Sequence, residues 1–134
     1  RHISSDICSG DKFVAARSER QAVNFVIQGC AAQILKIVLR TMHERKLMQR
    51  TGSVMIAPVY DEITASVPIS AAQDYIAEIT EIMTVTPPGH KVPMLPEIDV
   101  GPTWGQLIEL GAHPSTDKIE GALDECRTQM KLVG

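Results

Sequence analysis

Apolar positions change period several times along the chain, and each change marks an element. From Cys30 to Leu47, the residues Ile34, Leu35, Val38 and Met42, with Arg45 after them, recur at helical spacing. Lys36, Arg40 and Lys46 lie toward another face, so this run predicts the strongest helix, with Gly29 near its start and Gly52 beyond its end. Ahead of it, residues 1–13 read as a polar loop with Ser4-Ser5 and Ser9-Gly10-Asp11, and a short helix is expected from Val14 to about Asn24, capped by Asp11. The period then drops to two. Val54 to Val59 is nearly continuously apolar, as in a well-covered strand, and Ile63, Ala65 and Val67 alternate with Thr64 and Ser66, as in a half-buried one. Tyr60-Asp61-Glu62 joins the two without Gly or Asn, a tight connection that fixes two adjacent carboxylates at a strand end.

Helical spacing returns after Ser70, expected to cap a helix over Ala71–Val85 whose buried stripe is Tyr75, Ile76, Ile79, Ile82 and Met83. Pro87-Pro88-Gly89 is its stop. Lys91–Val100, with Val92, Met94, Leu95, Ile98 and Val100, predicts a strand that Pro93 and Pro96 push to a sheet edge. Gly101-Pro102-Thr103-Trp104 reads as a turn. Ser115 to Met130 is an amphipathic helix with Ile119, Leu123 and Cys126 on one side. The order helix, strand, strand, helix, strand, helix gives an α+β class with a small antiparallel sheet. Three strands make so small a sheet that a partner surface is expected to complete it.

Composition narrows the class. At 134 residues with 44% hydrophobic content, the chain is one domain or a piece of one and has enough apolar material for a core. Two Phe, two Tyr and one Trp leave that core mostly aliphatic. Cys8, Cys30 and Cys126 form neither a CxxC nor a Cys/His cluster, which argues against a zinc site or disulfide framework and for reduced thiols in an intracellular protein. The net charge of −3 hides an asymmetry. Residues 1–50 hold nine Lys/Arg against four Asp/Glu, and residues 51–134 hold four against twelve. A basic first part suits a polyanion such as nucleic acid, or simply a solvated basic helix face. No apolar stretch looks long enough for a bilayer and no signal pattern opens the chain, so a soluble, cytoplasmic protein without a membrane partner is expected. With Arg at position 1, the start is expected to be processed, trimmed or an internal cut.

Two groups of residues carry candidate chemistry. Asp61 and Glu62 are oxygen ligands of the kind a hard divalent cation takes, though the same pair can be a solvated acidic turn. Arg20, Asn24 and Gln28 recur every four residues and share a helix face, where a guanidinium and two amides can reach the sugars, backbone and minor-groove acceptors of a duplex. Amide capping of local backbone is the alternative for them. The four histidines, His2, His43, His90 and His113, show no ligand spacing.

Glu19-Arg20-Gln21-Ala22-Val23-Asn24 followed by Gln28-Gly29-Cys30-Ala31-Ala32-Gln33-Ile34 resembles the E-R-x-A-x-N-x-x-x-Q-G-x-A-A-D-I-like block of family A DNA polymerases, bacterial DNA polymerase I and its phage relatives. Val59-Tyr60-Asp61-Glu62-Ile63 falls where that family places an H-D-E hairpin. Val92-Pro93-Met94-Leu95 and Gly101-Pro102-Thr103-Trp104 match its closing strand and G-x-x-W turn. The resemblance runs from Arg1 to about Leu107. It implies that residues 1–107 are the C-terminal part of a polymerase palm, with its hairpin packed on long helices, and that 108–134 are a helical extension. That extension, with Ile119, Leu123, Cys126 and Met130 in register, would pack on its own domain or dock a partner helix.

By the same resemblance Asp61 is a catalytic carboxylate and a ligand of two magnesium ions, Glu62 supports it, Tyr60 lies near the primer terminus, and Arg20, Asn24 and Gln28 grip the primer–template. Its partners would be primer–template DNA, deoxynucleoside triphosphates and the N-terminal remainder of palm and fingers. If the chain is phage-encoded, it would work in the host cytoplasm. Tyr60 replaces the usual His, Pro58 a frequent polar residue whose N–H is lost to an unpaired or bulged edge, and Gln33 an Asp. The upstream D-Y-S-x-x-E-like strand and the R-x-x-x-K-x-x-x-Y-G helix have no counterpart here. Asp6 and Asp11 lack strand context, and Arg1-His2-Ile3 aligns just past the nucleotide-binding helix. The chain would therefore carry half a metal site. Two other classes compete: a non-catalytic nucleic-acid-binding module, and an unrelated metal-dependent hydrolase using Asp61 and Glu62, which would need a further carboxylate or His.

Overall fold

The computed structural model describes residues 4–86 and 91–133. They belong to two compact units, Arg1–Lys36 and Ile37–Gly134. The expectations for Arg1-His2-Ile3, Pro87-Pro88-Gly89 and His90 fall outside the described residues.

The first unit is helical. α1 spans Ser4–Ile7, inside the segment expected to be loop, and α2 spans Lys12–Glu44. Asp11 is the expected cap: its Oδ1 accepts the Phe13 N–H at 2.8 Å and its carbonyl the Ala15 N–H at 3.0 Å. The expected end near Asn24 does not exist, and the two predicted helices are one. No proline interrupts Lys12–Glu44, and a single Gly29 costs about 1 kcal/mol, too little to break an otherwise continuous ladder. The length expectation also needs correcting. α2 holds an 18-residue window of mean hydropathy 1.6, long and apolar enough to cross a bilayer by length and composition. Asn24, Gln28, Gln33 and Lys36 each stand alone among apolar neighbours, so they interrupt the apolar run although the window's average stays at 1.6.

The second unit holds the core. α2 buries Val38 and Met42 here, as its spacing predicts, and then stops where Lys46 takes a left-handed φ of 55°. α3, Leu47–Thr51, follows with Leu47 wholly buried, and Gly52 at φ 67° ends it. α4 spans Ala72–Met83 and buries Tyr75, Ile76, Ile79 and Ile82. Ser70 does not cap it. Ala71 holds the cap position without a side-chain bond, because a backbone turn, Ala71 N–H to Pro68 O at 2.9 Å, already closes the entry.

β1, Val54–Val59, and β2, Glu62–Ser66, pair antiparallel, with a bulge at Ile56. Ile63, Ala65 and Val67 pack on the core, but β1 is not the well-covered strand expected: Val54, Met55 and Ile56 are exposed. The strand expected over Lys91–Val100 is confined to its end. β3 spans Ile98–Thr103, and upstream, between Pro93 and Pro96, only Met94 forms a bridge, to Val85. Gly101-Pro102-Thr103 continues β3 instead of turning; the turn is Trp104-Gly105, leading into β4, Gln106–Gly111. β4 was not anticipated, although Ile108 and Leu110 alternate with Glu109. Among the described residues the single small sheet is thus two two-stranded sheets, and the α+β class stands.

α5, Thr116–Val133, buries Ile119, Ala122, Leu123 and Cys126 and packs against β3, β4 and α4. Lys118 Nζ ties it to β4 by donating to the Leu110 carbonyl at 2.9 Å.

Candidate functional site

The carboxylate hairpin is built from its register. Val59 pairs with Glu62, leaving Tyr60 and Asp61 as a two-residue loop. Such loops need positive φ, and Tyr60 supplies it at 57°, a conformation in which its Cβ is crowded. The ring is left 94% exposed. Asp61 is exposed at the tip; Glu62 starts β2 on the side shared with exposed Ser66, while Ile63 and Ala65 turn toward the core. The core therefore anchors one face of β2 and leaves both carboxylates in solvent.

Behind the hairpin, the start of β1 is fixed by buried Ser53, whose hydroxyl meets that of Thr51 at 2.7 Å, and Thr51 Oγ1 donates to the Leu47 carbonyl at 2.8 Å.

In the first unit, Arg20, Asn24 and Gln28 lie along α2 on one face, all three exposed. Among the described residues, none of these three, nor Tyr60, Asp61 or Glu62, commits its side chain to a hydrogen bond or ion pair. Other cations are already committed: Arg40 to Glu44 at 2.8 Å, Arg45 to Glu81 at 2.9 Å, Arg50 to Glu78. A groove of about 440 Å³ beside α4 is lined by Arg45, Arg50, Asp74, Glu78 and Glu81, and this pairing leaves it no net attraction for a polyanion.

Among the described residues no group of three or more His, Cys, Asp and Glu is placed to hold a metal ion. Asp61 and Glu62 alone form an incomplete donor set for a divalent cation, which takes six or more oxygens. Cys8 and Cys30 are exposed free thiols and Cys126 a buried one. Sequence reasoning missed two features of the site: the left-handed Tyr60, because a tyrosine gives no signal for that conformation, and the bulge at Ile56, for which Pro58 was only an indirect sign.

The family model of DNA polymerase family A matches residues 1–106. The chain is 28% identical over 111 residues to DNA polymerase I of Chloroflexus aurantiacus, covering 82% of this chain and 12% of that protein. It is 28% identical over 107 residues to DNA polymerase I of Borreliella burgdorferi, with 80% and 12% covered. Against the thermostable DNA polymerase I of Thermus filiformis it is 31% identical over 104 residues, with 78% and 12% covered. The matched stretch thus spans about an eighth of the length of these relatives. No solved structure gives a significant match.

Proposed function

The chain belongs to DNA polymerase family A, and from that premise we propose that it forms the C-terminal palm portion of a DNA-directed DNA polymerase, residues 1–107, followed by an extension. The reaction is template-directed transfer of a deoxynucleotide to a primer 3′-hydroxyl. The observation that carries this reading is the pairing of the family match with a hairpin whose tip presents Asp61 and Glu62 uncommitted to any structural partner.

Within this reading each residue has one task. Asp61 offers its carboxylate to magnesium, Glu62 supports the site from the adjacent position without ligating directly, and Tyr60 presents a stackable, hydrogen-bonding ring to the primer terminus. Arg20, Asn24 and Gln28 hold the duplex through acceptors that vary little between base pairs, so any sequence is accepted. Two magnesium ions, when bound, activate the primer hydroxyl and stabilise the leaving pyrophosphate. The incomplete donor set means that they would be shared with a carboxylate from the remaining palm, and the incoming nucleotide with the fingers. The chain is then inactive without those segments, and works in a bacterial cytoplasm, a host's if phage-encoded.

The test is reconstitution. Mixed with the remaining palm and fingers, the chain should extend a primer in the presence of magnesium, and Asp61→Ala should lower the rate by at least a hundredfold while leaving duplex binding intact. Extension indifferent to that substitution removes the catalytic role and leaves a duplex-binding module.

A further inference from the structure

The first unit carries an apolar row on α2 that its own residues leave open. Val23, Ile27, Cys30 and Ile34 succeed one another at steps of four, three and four residues, which keeps them on one helix face, with Val26 alongside. Val23, Val26 and Ile27 are 61%, 64% and 62% exposed; Cys30 is exposed and Ile34 half-buried. Val23 and Ile27 each directly precede a member of the polar row, Asn24 and Gln28, so the two rows lie about 100° apart around the helix. Both can therefore be engaged at once.

We infer that this apolar row is the docking seam for the remaining palm and fingers segments of the polymerase, packed helix on helix, with the adjacent polar row left for the duplex. This rests on the polymerase reading above. Three observations select that occupant. In the relatives the matched stretch is 12% of the protein, so most of the polymerase lies outside it and can supply a covering surface. A second copy is disfavoured by charge, since α2 carries Lys12, Arg17, Arg20, Lys36 and Arg40 against Glu19 and Glu44. A bilayer is disfavoured because Asn24, Gln28, Gln33 and Lys36 would enter it without partners.

The test uses the full chain and, as probe, a polypeptide carrying the remaining palm and fingers of the same polymerase. With Cys8→Ser in place and a benzophenone maleimide on Cys30, irradiation should crosslink the two. Val23→Asp with Ile27→Asp should weaken their binding at least a hundredfold with far-ultraviolet circular dichroism unchanged. The helix-favouring pair Val23→Ala and Ile27→Ala should weaken it about tenfold, and Phe25→Ser, on another face, less than threefold.

Binding unaffected by the Asp or Ala pair, with primer extension intact, overturns the seam and leaves the polymerase reading standing. A homodimer in sedimentation that the Asp pair abolishes, or retention on phosphatidylcholine vesicles that it abolishes, assigns the row to a second copy or a bilayer and also overturns it. If the seam binds as stated but Asp61→Ala leaves extension unchanged, the catalytic role fails and the seam does not.

Discussion

At the residue scale, Tyr60 brings stability and proposed chemistry into conflict. A left-handed non-glycine residue costs roughly 1–2 kcal/mol, less for Asn, whose short side chain tolerates that region. Tyr60→Asn should therefore raise hairpin stability by about 0.5–1 kcal/mol, read as a higher melting temperature, while reconstituted primer extension falls. A variant that melts lower would show that the ring contributes to the fold despite its exposure. Cys126 makes a second prediction. Burial, with the Glu125 carboxylate beside it, raises its thiol pKa. A raised folded pKa gives stability that is full below the unfolded value of about 8.5 and is lost as pH rises through the folded one. Melting temperature should thus fall above about pH 8.5, and Cys126→Ala should flatten that slope. Tyr75, its phenol also raised by burial, extends the same loss above about pH 10. In native protein a thiol reagent should label Cys8 and Cys30 promptly and Cys126 only on unfolding.

At the element scale, the second hairpin depends on one glycine. A Cβ on Gly101 would lie 1.9 Å from the Gln106 carbonyl oxygen, on backbone that cannot swing aside. Gly101→Ala should cost about 2 kcal/mol or more in urea unfolding, whereas Gly105→Ala at the neighbouring turn, with nothing near its Cβ, should stay within about 0.5 kcal/mol. Equal effects would mean that the strands do not approach as described. The two hairpins differ in what their sequences announce. Alternation in Ile63, Ala65 and Val67 predicted β2 correctly, because one face is anchored on the core. The apolar run of β1 pointed to a covered strand, yet it bulges at Ile56 and, among the described residues, pairs only with β2, which leaves it open. Local pattern reports what a strand is suited to bury, and only the neighbours decide whether it does.

At the scale of the whole molecule, residues beyond the family match help build the second unit's core. Leu110, Ile119, Ala122, Leu123 and Cys126 are buried there, against β3 and α4. Leu123→Ala should cost about 3 kcal/mol in urea unfolding, as removal of a well-packed leucine does, and a surface-like loss below 0.5 kcal/mol would show α5 to be a loosely held arm. The sequence by itself determined the α+β class, the buried stripe of α4 and that of α5 as far as Cys126 (Met130, expected in it, is exposed), the Asp11 cap, the hairpin that carries Asp61 and Glu62, and membership of the polymerase family. These follow from period, capping chemistry and short motifs, all of which act within a few residues. Local propensity left the join of the two early helices and the entry turn at Pro68–Ala71 open to either reading, while tertiary structure alone decided that β1 stays uncovered, that β4 pairs with β3, and that Tyr60 takes a left-handed turn. The last three depend on which neighbours a strand meets, or on a strain that no side chain advertises.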